Sequence, residues 1–265
     1  MKKIVFCLLT LPLLAQAPWE YDPETAQELK QKIRAIHRES FRRFYADSEY
    51  AYLNFSSKEC SGCKNRDFGL PIEESLRHAG FTWKEPLFKS EGHCGGITLL
   101  FIKHLLNHPP SSNDSCKNIL IDFQNKTYLQ SEAHALHMHQ LPGYVPFKEI
   151  QENPELGKRF FSTLIGAAAK SFFILPPSEK GKEPKFEAIS IYTTLKNLSG
   201  QILFVDYYNV NTKSGHVVAI YSHPEKPLFF DSNLGLFKFD NLESLSQHLE
   251  QYLQNCSLSY MVTFQ

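Results

Sequence analysis

The chain has 265 residues, of which 42% are hydrophobic and 21% charged, the balance of a folded globular protein and not of a disordered one. Lys plus Arg and Asp plus Glu both total 28, which argues against nucleic-acid binding by bulk positive charge. No internal repeat of fixed period is present.

Met1-Lys2-Lys3, the apolar run Ile4 to Leu14 and the small residues Ala15-Gln16-Ala17 have the layout of an export signal over residues 1–17. The expected location is therefore secreted or periplasmic, with residues 18–265 as the mature domain. The apolar run is too short to span a bilayer and no later run is long enough, so stable membrane insertion is not expected. Removal of the signal leaves 26 basic and 28 acidic groups, and five cysteines: Cys60, Cys63, Cys94, Cys116 and Cys256. An odd number in an exported protein implies at least one unpaired thiol or an intermolecular bond. If Cys60 pairs with Cys63 and Cys116 with Cys256, Cys94 is left over.

In chain order, Asp22-Pro23 reads as an N-cap and first helical residue. It opens a helix with Leu29, Ile33, Ile36 and Phe44 inside and a solvated basic face from Lys30 to Arg43. Residues 50–70 read as loop, and Pro71 to Ala79, closed by Gly80, as a short helix. The apolar run after Cys94 predicts a helix to about Asn107, stopped before Pro109-Pro110. A further helix is expected from Asn153-Pro154 through Phe160, Leu164 and Phe172 to Pro176. The polar stretch 176–187 reads as an exposed connector.

Short β-rich runs follow at Ile202–Tyr208, Gly215–Ser222, Leu228–Asp231 and Leu236–Phe239. A helix from Leu242 to Leu253 and a strand from Ser257 to Phe264 complete the chain. The expected class is α+β, a helical lobe of about 22–175 packed on an antiparallel lobe of about 188–265.

Gly92-His93-Cys94-Gly95-Gly96 sets a cysteine where a flexible turn enters a buried helix. Free N–H groups and the positive end of the dipole at a helix N-terminus favour thiolate over thiol, and thiol enzymes place nucleophiles there. A buried structural cysteine is the plain alternative. A nucleophilic cysteine needs a base and a group to orient it. His216, in Gly215-His216-Val217-Val218-Ala219-Ile220, opens a strong strand, and Asp231, in Leu228-Phe229-Phe230-Asp231-Ser232-Asn233, closes another. If these strands are neighbours, the imidazole and the carboxylate can meet. Cys94, His216 and Asp231 are then nucleophile, base and orienting group.

Gly92-His93-Cys94 before an apolar helix, the His216 strand and Phe229-Phe230-Asp231-Ser232-Asn233-Leu234-Gly235 resemble the YopT/AvrPphB-type cysteine proteases, a papain-fold group of bacterial virulence effectors. The order Cys, His, Asp matches, and Ser232 stands where proline is usual. The likeness covers about Gly92 to Asn107 and Leu203 to Phe264. It implies a papain-like fold and thiol cleavage of a peptide bond in a host or competitor protein, without metal or cofactor. Papain-type enzymes place Gln or Asn five or six residues before the cysteine as an oxyanion donor; here Phe88 and Lys89 occupy those positions. Ser90 and the Cys94 N–H are candidates for that work. Phe101 is the candidate for the aromatic expected in the nucleophile helix. A deamidase or acyltransferase on the same fold, and a non-catalytic exported binding protein, are the competing functions.

Two other signals point elsewhere. Cys60-Ser61-Gly62-Cys63 lacks a second CxxC and a βαβ context, so a local disulfide or free thiols fit better than redox or metal chemistry. His134, His137 and His139 lack the glutamate of a zincin motif and read as a His-rich helix.

Overall fold

The computed structural model describes residues 49–51, 69–82, 94–111, 113–124, 136, 147–174, 188–209, 214–254 and 256–265. All belong to one unit, residues 45–265. The helices are α1 (Gly69–His78), α2 (Cys94–Asn107), α3 (Cys116–Gln124), α4 (Phe147–Glu152), α5 (Pro154–Ile165), α6 (Ala188–Asn197) and α7 (Leu242–Tyr252). The strands are β1 (Glu49–Ala51), β2 (Ala169–Ile174), β3 (Ile202–Asn209), β4 (Ser214–Tyr221), β5 (Leu228–Asp231), β6 (Gly235–Lys238) and β7 (Cys256–Phe264). They form one antiparallel sheet in the order β1-β6-β5-β4-β3-β7-β2. The class is α+β, as expected, and α2 is laid on the sheet against β4.

The strands are apolar enough to be covered on both faces. Ile202, Phe204, Val217, Ala219, Phe230 and Val262 share a core with α2 and α5, while Phe229 and Phe237 meet α7 on the other side. Helix α2 is apolar around most of its circumference, as a helix enclosed by other elements must be. Its residues 95–102 are all buried. Phe101 stacks on Phe230 with ring centroids 4.0 Å apart and meets Phe123 edge-on at 5.2 Å. Thr98 Oγ1, fully buried, donates to the Val217 carbonyl of β4 at 3.3 Å. That bond fixes the height of α2 along β4, and so the height of Cys94.

The helix expected from 154 to 176 stops at Ile165, and residues 169–174 are instead strand β2 at the sheet edge. Gly166 takes φ 68, the left-handed cap that ends a helix. Phe172 then returns against Gly157 of α5, where a Cβ would lie 2.7 Å from the ring. The sheet therefore recruits a strand from the region read as wholly helical. Among the described residues no helix is long and apolar enough to cross a membrane.

Candidate active site

Cys94 is the first residue of α2 and is half-buried. Its backbone N–H belongs to the first turn, where N–H groups have no intrahelical acceptor and point outward. His216 lies near the start of β4, opposite Tyr207 of β3. Asp231 ends β5 opposite Val218, one diagonal step from His216 on the same face. The strands are neighbours, and His216 Nε2 and Asp231 Oδ1 are 2.9 Å apart, with side-chain exposures of 13% and 4%.

Asp231 is held from three directions. The Asn233 N–H donates to Oδ1 at 2.7 Å, an Asx turn that starts the β5–β6 hairpin. Tyr252 Oη, from the last turn of α7, donates to Oδ2 at 2.5 Å. Tyr207 and Tyr252 hydroxyls are 2.7 Å apart, and the Tyr207 ring stands edge-on to His216 at 5.7 Å. An ionised carboxylate only accepts, so Nε2 carries the proton between His216 and Asp231. Nδ1 is left for the Cys94 thiol, which is also a hydrogen-bond partner of the imidazole.

Burial by itself would depress the His216 imidazole. The Asp231 charge and hydrogen bond, helped by Cys94, reverse that and push it up to about 10. Burial likewise would raise Asp231, but His216, Tyr252 and the Asn233 N–H hold its carboxyl below the ordinary value. Histidine 216 is thus cationic at neutral pH, beside a thiol at a helix N-terminus. His248 of α7 is the opposite case. Packed against Phe229, Phe237, Phe239 and Tyr252, it is pushed by burial down to about 3, against a weaker pull from Asp231, and is neutral.

The three residues chosen from sequence thus occupy one cluster. Phe101 does not join it: it is 1% exposed and belongs to the core between α2, α3 and β5. Cys116 and Cys256 are not joined to each other, so the suggested pairing is not made. Helix α3 sits over β1 and β6, four strands from β7, roughly 19 Å at the usual strand spacing and far beyond disulfide reach. The leftover-thiol arithmetic therefore does not single out Cys94. The export signal, Cys60, Cys63, Phe88, Lys89, Ser90, His134, His137 and His139 lie outside the described residues. Among those described, no group of three His, Cys, Asp or Glu is placed to hold a metal ion.

Sequence reasoning missed Tyr252, Tyr207, Asn233 and Asp206. Asp206 of β3 accepts a hydrogen bond from Ser259 of β7; burial, partly offset by Ser259 and His216, raises its carboxyl to about 7. A charged residue inside the apolar run Ile202–Tyr208 was the available signal.

No protein-family model and no curated protein matches the chain. Among solved structures it is similar to the Pseudomonas avirulence protein AvrPphB, at 15% identity and a TM-score of 0.37, over 65% of this chain and 90% of that one.

Proposed function

We propose that the protein is an exported cysteine protease of papain-like fold that cleaves a peptide bond in a protein substrate through Cys94, His216 and Asp231. One observation carries this reading: a largely buried imidazole that is charge-paired with Asp231 through Nε2 and has the Cys94 thiol, at a helix N-terminus, as a further hydrogen-bond partner. Residues 1–17 supply the proposed export signal.

The chemistry follows from the charges. His216 holds a proton, and the adjacent Cys94 sulfur is the nucleophile. It adds to the scissile carbonyl, and the developing oxyanion is met by the outward N–H of Cys94. His216 gives its proton to the departing amine, leaving a thioester on Cys94. Neutral His216 then takes a proton from water, whose oxygen attacks the thioester. Collapse of that adduct expels the Cys94 sulfur and releases the acid, and the proton kept on His216 restores the pair. Asp231 keeps the ring in the required tautomer throughout.

The test is a proteome-wide search for new N-termini after exposure to wild type or Cys94→Ala. Cleavages present with wild type and absent with the variant support the reading. The small mass gain of deamidation, without new termini, would replace proteolysis by side-chain amide chemistry. No covalent change together with Cys94 labelling by iodoacetamide no faster than a free thiol would mark a non-catalytic scaffold.

A further inference from the structure

We propose that Asn233 is a positioning residue for the base: its side-chain oxygen faces Nε2 of His216 and, with Asp231, forms a two-pronged acceptor that grips the protonated edge of the ring. The proposal deepens the protease reading and rests on it for the reaction that the ring serves.

The placement comes from the β5–β6 hairpin. Asp231 pairs with Gly235 across it, and the Leu234 N–H donates to the Asp231 carbonyl at 3.1 Å. The Asn233 N–H donates to Asp231 Oδ1 at 2.7 Å. Together these contacts fix the Asn233 backbone relative to the carboxylate. Ser232 and Leu234 on either side are buried, whereas Asn233 is exposed. Its side chain therefore does not serve the core. What it reaches is the imidazole, with the end of the amide, Nδ2, 3.4 Å from His216 Nε2.

The proton on Nε2 decides which end of the amide belongs there. Asp231 Oδ1 lies 2.9 Å from Nε2, and an ionised carboxylate only accepts, so Nε2 carries hydrogen. An NH2 group opposite that hydrogen sets donor against donor. The two ends of an amide have nearly the same shape, and a half-turn about the last side-chain bond exchanges them. Oδ1 then becomes the second, longer branch of a three-centre bond. In catalysis the proton that moves is on Nδ1, facing sulfur. Nε2 keeps its own in every step, so the amide always meets a donor.

Two consequences follow for the base. An acceptor beside Nε2 favours the charged ring over the neutral one. A second prong also resists rotation of the ring once Nδ1 is bare. The other groups facing the imidazole are Asp231 from β5, Cys94 from α2 and the Tyr207 ring from β3. Asp206 of β3 acts through its charge, and Tyr252 of α7 acts through Asp231. The bond from the Asn233 N–H to Asp231 is main chain and survives a change of the side chain.

The first measurement needs no proteolysis. In the full chain carrying Cys94→Ala, where the neighbouring thiol is removed, nitrogen NMR of His216 should show Nε2 protonated in both the charged and the neutral ring. Against that background Asn233→Leu, of similar size, should lower the imidazole titration by roughly half to one pH unit, the size of a long hydrogen bond to a charged group. Asn233→Asp, which keeps an oxygen acceptor, should not lower it. Hydrogen exchange at the residue 233 amide should be equally slow in all three chains, which separates loss of the acceptor from damage to the hairpin. The second measurement uses a peptide cut by wild type: the basic limb of kcat/KM should move to lower pH in Asn233→Leu and not in Asn233→Asp. A titration unchanged in Asn233→Leu, or lowered equally in Asn233→Asp, or a neutral ring protonated on Nδ1, overturns the positioning role and leaves the protease reading standing. A titration lowered only in Asn233→Leu, with no peptide cut by wild type, overturns the protease reading and leaves the role of Asn233 standing.

Discussion

On its Asp231 side, the His216 ring meets a carboxylate that two further donors already grip, one from its own hairpin and one from α7. On its Cys94 side, it meets a thiol whose position depends on how a mostly apolar helix seats on the sheet. The first side is fixed by short polar bonds and the second by packing of Phe101, Phe123 and Phe230, plus one Thr98 bond. Polar bonds set the orientation and protonation of His216. Packing sets its distance to Cys94, and a helix terminus leaves that sulfur partly accessible. A thiol enzyme needs both, because its base must not turn while its nucleophile must reach a carbonyl.

The hardest blow to the polar side is Asp231→Asn. The shape is kept, but the charge that holds His216 protonated is gone, and the amide can present a donor to Nε2. We expect kcat/KM to fall by about 10²–10⁴-fold, as for loss of an orienting carboxylate in other triads. NMR titration should show the His216 imidazole falling below its wild-type value. Unchanged kinetics would remove Asp231 from the mechanism.

The matching blow to the packed side is Phe101→Ala, which opens a cavity between α2, α3 and β5. The expected loss is about 3–5 kcal/mol of stability, read by urea unfolding. Because α2 carries Cys94, the rate of thiol alkylation should change in the folded variant while the His216–Asp231 pair persists. If imidazole titration moves as much as alkylation, the two sides are not separable.

Titration sharpens the contrast. The folded value of His216, about 10, exceeds its ordinary 6.5, so its stabilisation is complete below pH 6.5 and is lost as pH rises toward 10. Asp231 is shifted below its ordinary 3.8, so its stabilisation is present above that value and lost as pH falls through the folded one. The stability gap between wild type and Asp231→Asn should therefore be widest between about pH 4 and 6.5 and shrink toward pH 10. Thermal melts across that range check it; a gap independent of pH would show that packing, not charge, accounts for the loss.

The same division explains what could be read from the chain beforehand. Helix α2 is legible because a glycine turn opens it and Pro109-Pro110 closes it, and β5–β6 because Asp231 to Gly235 is dense in turn formers. Strand β2 is not, since Leu164 and Phe172 keep a helical spacing across Gly166, whose cap only the backbone angle reveals. Tyr252 fits the amphipathic pattern of α7, which says which face is inward but not what a hydroxyl at its end will meet. A pairing of Cys116 with Cys256 overlooks sheet order, a tertiary property. Local signals name elements and reactive residues; the partners of a reactive residue come from topology.

The mildest test addresses those partners. Tyr252→Phe removes the Oη donor from Asp231 Oδ2 and the hydroxyl partner from Tyr207, while the ring keeps its place against Phe229 and His248. A hydrogen bond to a charged acceptor is worth about 1.5–3 kcal/mol, so stability should fall by up to that amount. Asp231 should become easier to protonate, and the acid limb of the kcat/KM profile should move to higher pH, because Tyr252 helps hold its carboxyl down. At the plateau the loss should be no more than about tenfold, since the His216–Asp231 bond and the Asn233 turn remain. Tyr207→Phe, one bond further from the carboxylate, should shift the limb less. If both variants reduce the plateau equally and leave the acid limb in place, the tyrosines serve only as packing and the grip on Asp231 comes from its hairpin alone.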